Sequence, residues 1–208
     1  MCDNNLETSE AMISVIKKFE GLRLKAYKCP AGVYTIGYGH TENVYADSEI
    51  SELMADQILR KDLKNVEQAV NDLGLPLLQC EFDALVSFIF NVGMYNFNKS
   101  TLKKLLLQKK FFYAAKEFDK WVFAGGKKLP GLQNRRNKER KIFEGRKLED
   151  YQDNELDSLI KTLTDDLTHS KSEIKKAEYQ KNITYLIENK ILKSRITELL
   201  EIINDANL

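Results

Sequence analysis

The hydrophobic pattern of the first 45 residues changes from helical spacing to strand-like alternation near residue 21. After Ser9, a residue type that caps helices, apolar side chains recur at helical spacing at Met12, Ile13, Ile16 and Phe19. This pattern predicts a helix that ends near Glu20, with Gly21 as the residue that stops it.

Two short strands are predicted to follow this helix. Residues 24–27 and 33–38 are rich in strand-forming side chains, and residues 29–32 (Cys-Pro-Ala-Gly) supply the turn between them. A third short strand is expected over residues 41–44. The sequence therefore predicts a small antiparallel hairpin beside the first helix.

From Ser48 onward the hydrophobic periodicity is helical. Residues 50–73 predict a long amphipathic helix, and residues 80–92 are apolar on nearly every side, which is typical of a central buried helix. Further helices are predicted over 100–108, 111–123 and 132–143. The predicted fold class is α+β, with a hairpin lobe beside a helical lobe and a ligand cleft between these two lobes.

The end of the chain differs in composition from the rest. All 10 glycines and all 3 prolines lie at or before Gly145. Beyond it, two apolar stripes follow a 4-3-4 spacing, at Leu156, Ile160, Leu163 and Leu167 and at Leu192, Ile196, Leu199 and Ile203. The two stripes are out of phase with one another. We predict one domain over residues 1–146 and a helical tail over 147–208, which can form a coiled coil, a helical hairpin or a helix packed on the first domain.

Composition and charge narrow the class of protein. With 43% hydrophobic and 30% charged residues among 208, the chain fits a globular protein with a real core. Residues 150–208 carry 12 acidic and 8 basic side chains, and the rest of the chain carries 19 acidic and 24 basic ones. A basic front part suits an anionic polymer such as a bacterial cell wall, although ordinary scatter of surface charge explains it equally well.

Cysteine use and the N-terminus exclude several further classes. Cys2, Cys29 and Cys80 have unrelated spacings, so they predict neither a disulfide framework nor a metal site, and we expect reduced thiols. The first ten residues are polar and acidic, without a signal-peptide core, and no segment approaches the roughly 20 apolar residues of a membrane span. We therefore expect a cytoplasmic protein with no cofactor, no metal, no nucleic-acid partner and no membrane insertion.

The strongest chemical signal is the spacing E-x8-C-x5-T of Glu20, Cys29 and Thr35. Glycoside hydrolysis needs a proton donor for the leaving oxygen and a group on the opposite side that directs or activates water. Glu20 is the candidate donor, and partial burial would help such a group keep its proton near neutrality. Thr35 can hold a water through its hydroxyl. Cys29 stands where a second carboxylate is normally found; its thiol is a weak base, but a thiolate could orient water or act as a nucleophile.

Residues 20–41 resemble the catalytic signature of the phage-type lysozymes, the endolysins of glycoside hydrolase family 24. In that signature a glutamate is followed by aspartate or cysteine after eight residues and by threonine after five more. Residues 82–93 resemble the central helix of this family. Residues 100–102, 121–126 and 129–136, with Glu139 and Arg140 after them, resemble its C-terminal lobe. The resemblance covers about residues 10–146.

This resemblance implies a lysozyme-like fold and hydrolysis of the β-1,4 bond between N-acetylmuramic acid and N-acetylglucosamine in peptidoglycan. It implies the acid role for Glu20 and water-positioning roles for Cys29 and Thr35, where Cys29 replaces the aspartate of many family members. Because no export signal is visible, the resemblance also implies that the enzyme waits in the host cytoplasm until a phage holin opens the inner membrane.

Four further residues are candidates for substrate binding, namely Tyr38, His40, Arg135 and Arg136. Tyr38 could stack on a sugar ring, as could Trp121, for which core packing is the stronger expectation. His40 resembles the histidine that follows the hairpin in this family, and we expect it to form a hydrogen bond to the helical lobe. The two arginines could line the cleft or contact anions of the wall, and equally they could form salt bridges on a solvated helix face.

Two functions of different classes compete. The leading hypothesis is a muramidase endolysin that lyses the bacterial cell wall. The alternative is a wall-binding or partner-binding protein in which residues 1–146 are a scaffold and the tail over 147–208 does the work. Self-association of the tail is a third hypothesis, although its interrupted apolar stripe favours intramolecular packing over a strong parallel dimer.

Overall fold

The computed structural model describes residues 5–29 and 32–145, and seven residues of the tail, which are Ile160, Lys161, Thr164, Gln180, Ile183, Thr184 and Ile187. These seven residues are helical. The chain divides into two compact units, Met1–Gly145 and Arg146–Leu208. All the elements described below belong to the first unit, and the predicted coiled coil or helical hairpin of the tail lies outside the described residues.

The first helix and the hairpin form where the sequence predicts them. Helix α1 (Glu10–Glu20) begins after Ser9, whose hydroxyl accepts a hydrogen bond from the Met12 N–H at 3.2 Å. Strands β1 (Arg23–Lys28) and β2 (Tyr34–Gly37) pair antiparallel, with Tyr27 opposite Thr35. Only two residues separate α1 from β1, so the end of the helix lies next to the hairpin.

The prediction of a third strand over residues 41–44 was wrong, since these residues form a turn. The chain reverses at Tyr38 and Gly39 so tightly that His40 pairs with Ile36 in a single bridge, and a second single bridge joins Lys25 to Glu49. Gly39 adopts a φ of +100°, which favours glycine over any other residue. This tight reversal brings the loop after β2 back over the end of α1.

Helix α3 is the centre of the helical lobe. It spans Gln79–Val92, and every residue from Glu81 to Ile89 is buried. It packs against α1, against α2 (Glu52–Asn71) and against α7 (Pro130–Phe143). Its own Phe82 and Phe88 belong to the same buried apolar core as Phe97 and Phe118 from later segments. Burial of each such side chain contributes about 2–3 kcal/mol to the free energy of folding. The helix that the sequence predicts to be central is the one against which the other helices pack.

The segment between α3 and α7 is more broken than the sequence predicts. Short helices α4 (Met94–Lys99), α5 (Thr101–Leu107) and α6 (Phe111–Glu117) are followed by a 3-10 turn over Phe118–Lys120. The prediction of one helix over 111–123 was wrong at its C-terminal end. A hairpin follows, with strands β3 (Phe123–Ala124) and β4 (Lys127–Lys128) around two glycines of positive φ. Such glycines cannot continue a helix without cost, and they favour a tight turn.

Polar contacts fix α1, the helix that ends in Glu20, against its neighbours. The N–H and the hydroxyl of Ser9 both donate to Asp83 of α3, at 2.9 and 2.5 Å. Near the other end, Lys17 forms an ion pair with Asp56 of α2. Hydrogen bonds from Lys17 and Arg60 hold the pKa of Asp56 below its ordinary value, so this carboxylate stays charged near neutrality. The end of α1 is therefore held in a defined place.

The fold is α+β, with a small antiparallel hairpin beside a helical lobe, as the sequence predicts. Within the described part of the chain, no helix combines the length and the hydropathy that crossing a bilayer requires.

Candidate active site

A cleft of about 360 Å³ opens where the hairpin, α1, α2 and α3 meet, and its volume is at the lower end of the range for small-ligand sites. The residues that line this cleft are Glu20, Tyr38, Gly39, His40, Thr41, Glu42, Asp62, Phe90 and Asn91. The candidate donor Glu20 and two of the candidate binding residues, Tyr38 and His40, therefore lie at one site.

Glu20 is held by one of its oxygens and open at the other. It is the last residue of α1, and its side chain is 21% exposed. Its Oε1 accepts a hydrogen bond of 2.6 Å from Nη1 of Arg135. Its Oε2 lies beside Gly39, where an added Cβ would be only 3.9 Å away. The acid therefore has a fixed orientation and one oxygen beside a residue without a side chain.

Arg135 is buried on the inward face of α7, and its nitrogens are engaged on three sides. Besides the bond to Glu20, its Nε donates to Oε1 of Glu139 at 2.9 Å and its Nη2 donates to the carbonyl of Ser87 at 3.0 Å. Its guanidinium also lies 4.9 Å from the ring of Phe19. Of the two alternatives for Arg135, the solvated helix face was wrong, because this arginine reaches inward to the acid. Arg135 is also not among the residues that line the cleft.

Arg136 is completely buried, so a ligand in the cleft cannot contact it. Its Nε lies 2.7 Å from Oε2 of Glu139, and its Nη2 donates to Oδ1 of Asn91 at 3.0 Å. Burial lowers the pKa of Arg136, and the charge of Glu139 opposes that shift. The prediction that Arg136 lines the cleft or contacts anions of the wall was therefore wrong.

His40 links the hairpin to the helical lobe, as expected from the sequence. Its Nδ1 lies 2.8 and 3.1 Å from the two carboxylate oxygens of Asp62, which belongs to α2. Tyr38 lies on the same wall of the cleft and is half-buried, with Nζ of Lys17 5.7 Å from the centre of its ring. Trp121 packs in the core as expected, with its ring edge-on to Phe88 at 5.5 Å.

Cys29 and Thr35 lie on the hairpin but are not among the residues that line the cleft. Cys29 is half-buried at the start of the turn, where its N–H donates to the carbonyl of Val33 at 3.0 Å. Thr35 is 5% exposed, and its hydroxyl donates to the same carbonyl at 3.2 Å. The structure therefore places these two candidates near one another around Val33.

Sequence reasoning missed Gly39, Asp62 and Glu139 as residues of the site or its support. Glu139 had a signal that could have found it, because it follows Arg135 by four residues and Arg136 by three, and such pairs meet on a helix. Asp62 had no such signal in the sequence, since it is one of several acidic residues on α2. Within the described ranges, no group of three or more His, Cys, Asp or Glu side chains could hold a metal ion.

Known proteins resemble this chain over the same unit. A model of the family described as phage lysozyme matches residues 17–139. The chain is 43% identical over 144 residues to the endolysin of Acyrthosiphon pisum secondary endosymbiont phage 1, a match covering 67% of this chain and 99% of that protein. It is 44% identical over 142 residues to the endolysin of Bacillus phage B103, covering 66% of this chain and 54% of that protein, so it spans about half of that relative's length.

A solved structure supports the same likeness. The muramidase domain of SpmX from Asticaccaulis excentricus aligns with a TM-score of 0.62 and 38% identity, covering 66% of this chain and 97% of that domain.

We expect Gly39→Ala to lower peptidoglycan hydrolysis roughly tenfold or more, because its Cβ would occupy the space beside Oε2 of Glu20 and misplace a bound sugar. Gly74→Ala is the matched control, since Gly74 also has a positive φ (+62°) but open space around it. Both variants should lose about 1 kcal/mol of stability by thermal unfolding. Equal hydrolysis by the two variants would show that the space beside Oε2 does not matter.

Proposed function

This chain belongs to the phage lysozyme family, and we propose that it is an endolysin that hydrolyses the β-1,4 bond between N-acetylmuramic acid and N-acetylglucosamine in peptidoglycan. One observation carries this proposal. Glu20 lies at the cleft with one oxygen bound to Arg135 and the other beside the bare backbone of Gly39. A carboxyl group held in this way can give its proton to the glycosidic oxygen of a bound sugar.

Arg135 supports the acid step that we propose. As Glu20 gives its proton to the leaving oxygen, the bond from that oxygen to the anomeric carbon breaks and a negative charge develops on Glu20. The guanidinium 2.6 Å from Oε1 stabilises this developing charge. Because the charge grows toward the transition state, the interaction is stronger there than in the bound substrate, which is the condition for catalysis.

Water completes the reaction, and we propose that Thr35 and Cys29 position it. The Thr35 hydroxyl donates its proton to the carbonyl of Val33, which leaves its oxygen free to accept a hydrogen bond from water. Cys29 bonds to the same carbonyl through its backbone, so its sulfur belongs to the same small region of the hairpin. Oxygen from water then bonds to the anomeric carbon, and the proton that this water loses returns through solvent to the carboxylate of Glu20, which restores the acid.

Tyr38 and His40 are proposed to contact the sugars. Both line the cleft, and the bond from His40 to Asp62 fixes the imidazole on its wall. An aromatic ring on the wall of a sugar-binding cleft offers a flat apolar face to a pyranose ring. Arg135 is proposed to act through Glu20 and not through the substrate, since it is 5% exposed.

The proposed place of action is the cell wall, reached from the host cytoplasm after a holin opens the inner membrane. Family resemblance supports this route. Production of the chain in bacteria without a holin should leave the cells intact until their inner membrane is permeabilised. Lysis without permeabilisation would contradict the proposed dependence on a holin.

We also propose that residues 1–146 form the catalytic domain and residues 147–208 a helical accessory tail. The division of the chain at Gly145 supports this boundary. So does the match of 144 residues that covers 99% of a phage endolysin but only 67% of this chain. Binding of a partner or self-association through the tail is the second candidate function, favoured by its separate composition.

We expect Glu20→Gln to reduce hydrolysis of purified peptidoglycan by about 10²-fold to 10⁴-fold, because glutamine cannot donate an acidic proton but can still accept the bond from Arg135. Glu49→Gln is the control, since Glu49 is an exposed carboxylate of the same lobe. The reducing ends of released muropeptides, identified by mass spectrometry, should be N-acetylmuramic acid. Undiminished clearing by Glu20→Gln would contradict the acid role, and anhydro products would indicate a transglycosylase.

The role of Cys29 is tested by a pair of substitutions. We expect Cys29→Asp to retain substantial activity, because a carboxylate can also orient or activate water, and Cys29→Ala to lose it. Initial rates of peptidoglycan clearing should be measured for both variants at matched thermal stability. Equal rates for the aspartate and alanine variants would exclude a catalytic role for this position.

Truncation after Gly145 separates the two candidate functions. If the tail is accessory, the shortened chain should clear peptidoglycan within about twofold of the full chain, because every described residue of the cleft precedes Gly145. Sedimentation equilibrium of both forms reports whether the tail sets the oligomeric state. Abolished clearing by a folded truncated chain would instead favour a function carried by the tail.

A further inference from the structure

We propose that Glu139, which lies outside the cleft, is a positioning residue that balances the charge of Arg135 and so sets the pH range over which Glu20 acts as the acid. This inference rests on the proposed acid role of Glu20. Glu139 reaches Glu20 only through Arg135, whose Nε binds Glu139 and whose Nη1 binds Glu20.

The surroundings of Glu139 favour a charged carboxylate over a neutral acid. Its side chain has no exposed surface, and three donors converge on its Oε1. These donors are the hydroxyl of Ser87 at 2.7 Å, Nε of Arg135 at 2.9 Å and Nη2 of Arg136 at 3.1 Å. Burial raises the pKa of Glu139, and the charges of Arg136 and Arg135 oppose that rise. Arginine keeps its proton in proteins, so both guanidinium groups remain charged donors. A carboxylate accepts hydrogen bonds from such donors better than a neutral carboxylic acid does.

Four charged groups form one connected cluster with no net charge. Arg135 and Arg136 supply two positive charges, while Glu139 and the carboxylate of Glu20 supply two negative ones. Three of these side chains are 5% exposed or less, so water screens them poorly. An uncompensated charge in such surroundings is costly, and every member of the cluster therefore affects the protonation of the one member that reaches the cleft.

The reaction must begin with a protonated Glu20, which leaves the cluster with one surplus positive charge. Without the carboxylate of Glu139 the cluster would carry two surplus positive charges. Glu20 would then be the one carboxyl group of the cluster to which Arg135 is attracted. That surplus would favour the ionised form of Glu20, which has no proton to donate. Glu139 thus offsets part of the attraction of Arg135 for the ionised form of Glu20, while Arg135 still stabilises the charge that develops as Glu20 gives up its proton.

Other ionisable groups also face Glu20, but none of them belongs to this cluster. Tyr38, His40 and Glu42 follow β2, Asp62 comes from α2, and α3 contributes only the uncharged Phe90 and Asn91 to the cleft. These groups stay unchanged when Glu139 or its neighbours are substituted. A shift in the pH dependence caused by Glu139 can therefore be assigned to the buried cluster.

The test compares the pH dependence of kcat/KM for peptidoglycan hydrolysis in the full chain and in the variants Glu139→Gln and Ser87→Ala. We expect the alkaline limb to move to lower pH by about one unit in Glu139→Gln, because a negative charge near Arg135 is lost. Ser87→Ala is the matched control, since it removes a hydrogen bond to Glu139 but no charge. The alkaline limb of the pH profile of Ser87→Ala should lie at the same pH as that of the unsubstituted protein.

A purely structural role for Glu139 predicts lower stability in both variants with an unmoved alkaline limb, and that result would overturn the proposal.

If Glu139→Gln does not fold, Arg136→Met removes a positive charge from the same cluster and should move the alkaline limb to higher pH. An unmoved limb in Arg136→Met overturns the proposal equally. A folded variant too slow for kinetics is followed by the ¹³C shift of the Glu20 carboxyl, with the same expected directions. Absence of hydrolysis by the unchanged chain would instead count against the proposed function.

Discussion

The bond between Glu20 and Arg135 is the interaction on which the rest of the site depends. It joins the end of α1 to the inward face of α7 at 2.6 Å, across the centre of the helical lobe. A cation placed so deeply must have its remaining donors satisfied, and Ser87 and Glu139 satisfy them. For this reason α7 buries Arg135, Arg136 and Glu139 where an ordinary helix would bury apolar side chains.

Rigid neighbours make that bond useful for chemistry. Asp83 holds the start of α1 and Asp56 holds its last turn, so the helix cannot rotate Glu20 away from the cleft. On the other side, the reversal at Gly39 brings bare backbone beside the second oxygen of Glu20. Endolysin chemistry in this chain is thus served by a short hairpin and a buried ionic cluster that share a single side chain.

Local sequence was sufficient for some elements and insufficient for others, for a physical reason. Helix α1 with its Ser9 cap, the β1–β2 hairpin and the buried α3 follow from near-neighbour spacing, and all three formed as predicted. Arg135 and Arg136 were placed wrongly because an isolated arginine prefers water, and only partners distant in the sequence make its burial favourable. The same holds for the break after Glu117, where packing of Phe118 and two glycines overrode a helical pattern.

The separation of Glu20 and Arg135 along the chain has a consequence for the order of synthesis. Glu20 leaves the ribosome before Arg135, which follows it by 115 residues. A nascent chain that stops before α7 therefore carries the acid without the cation that orients it, and without the helix that completes the lobe. The ion pair that orients the acid can therefore form only after α7 has been made.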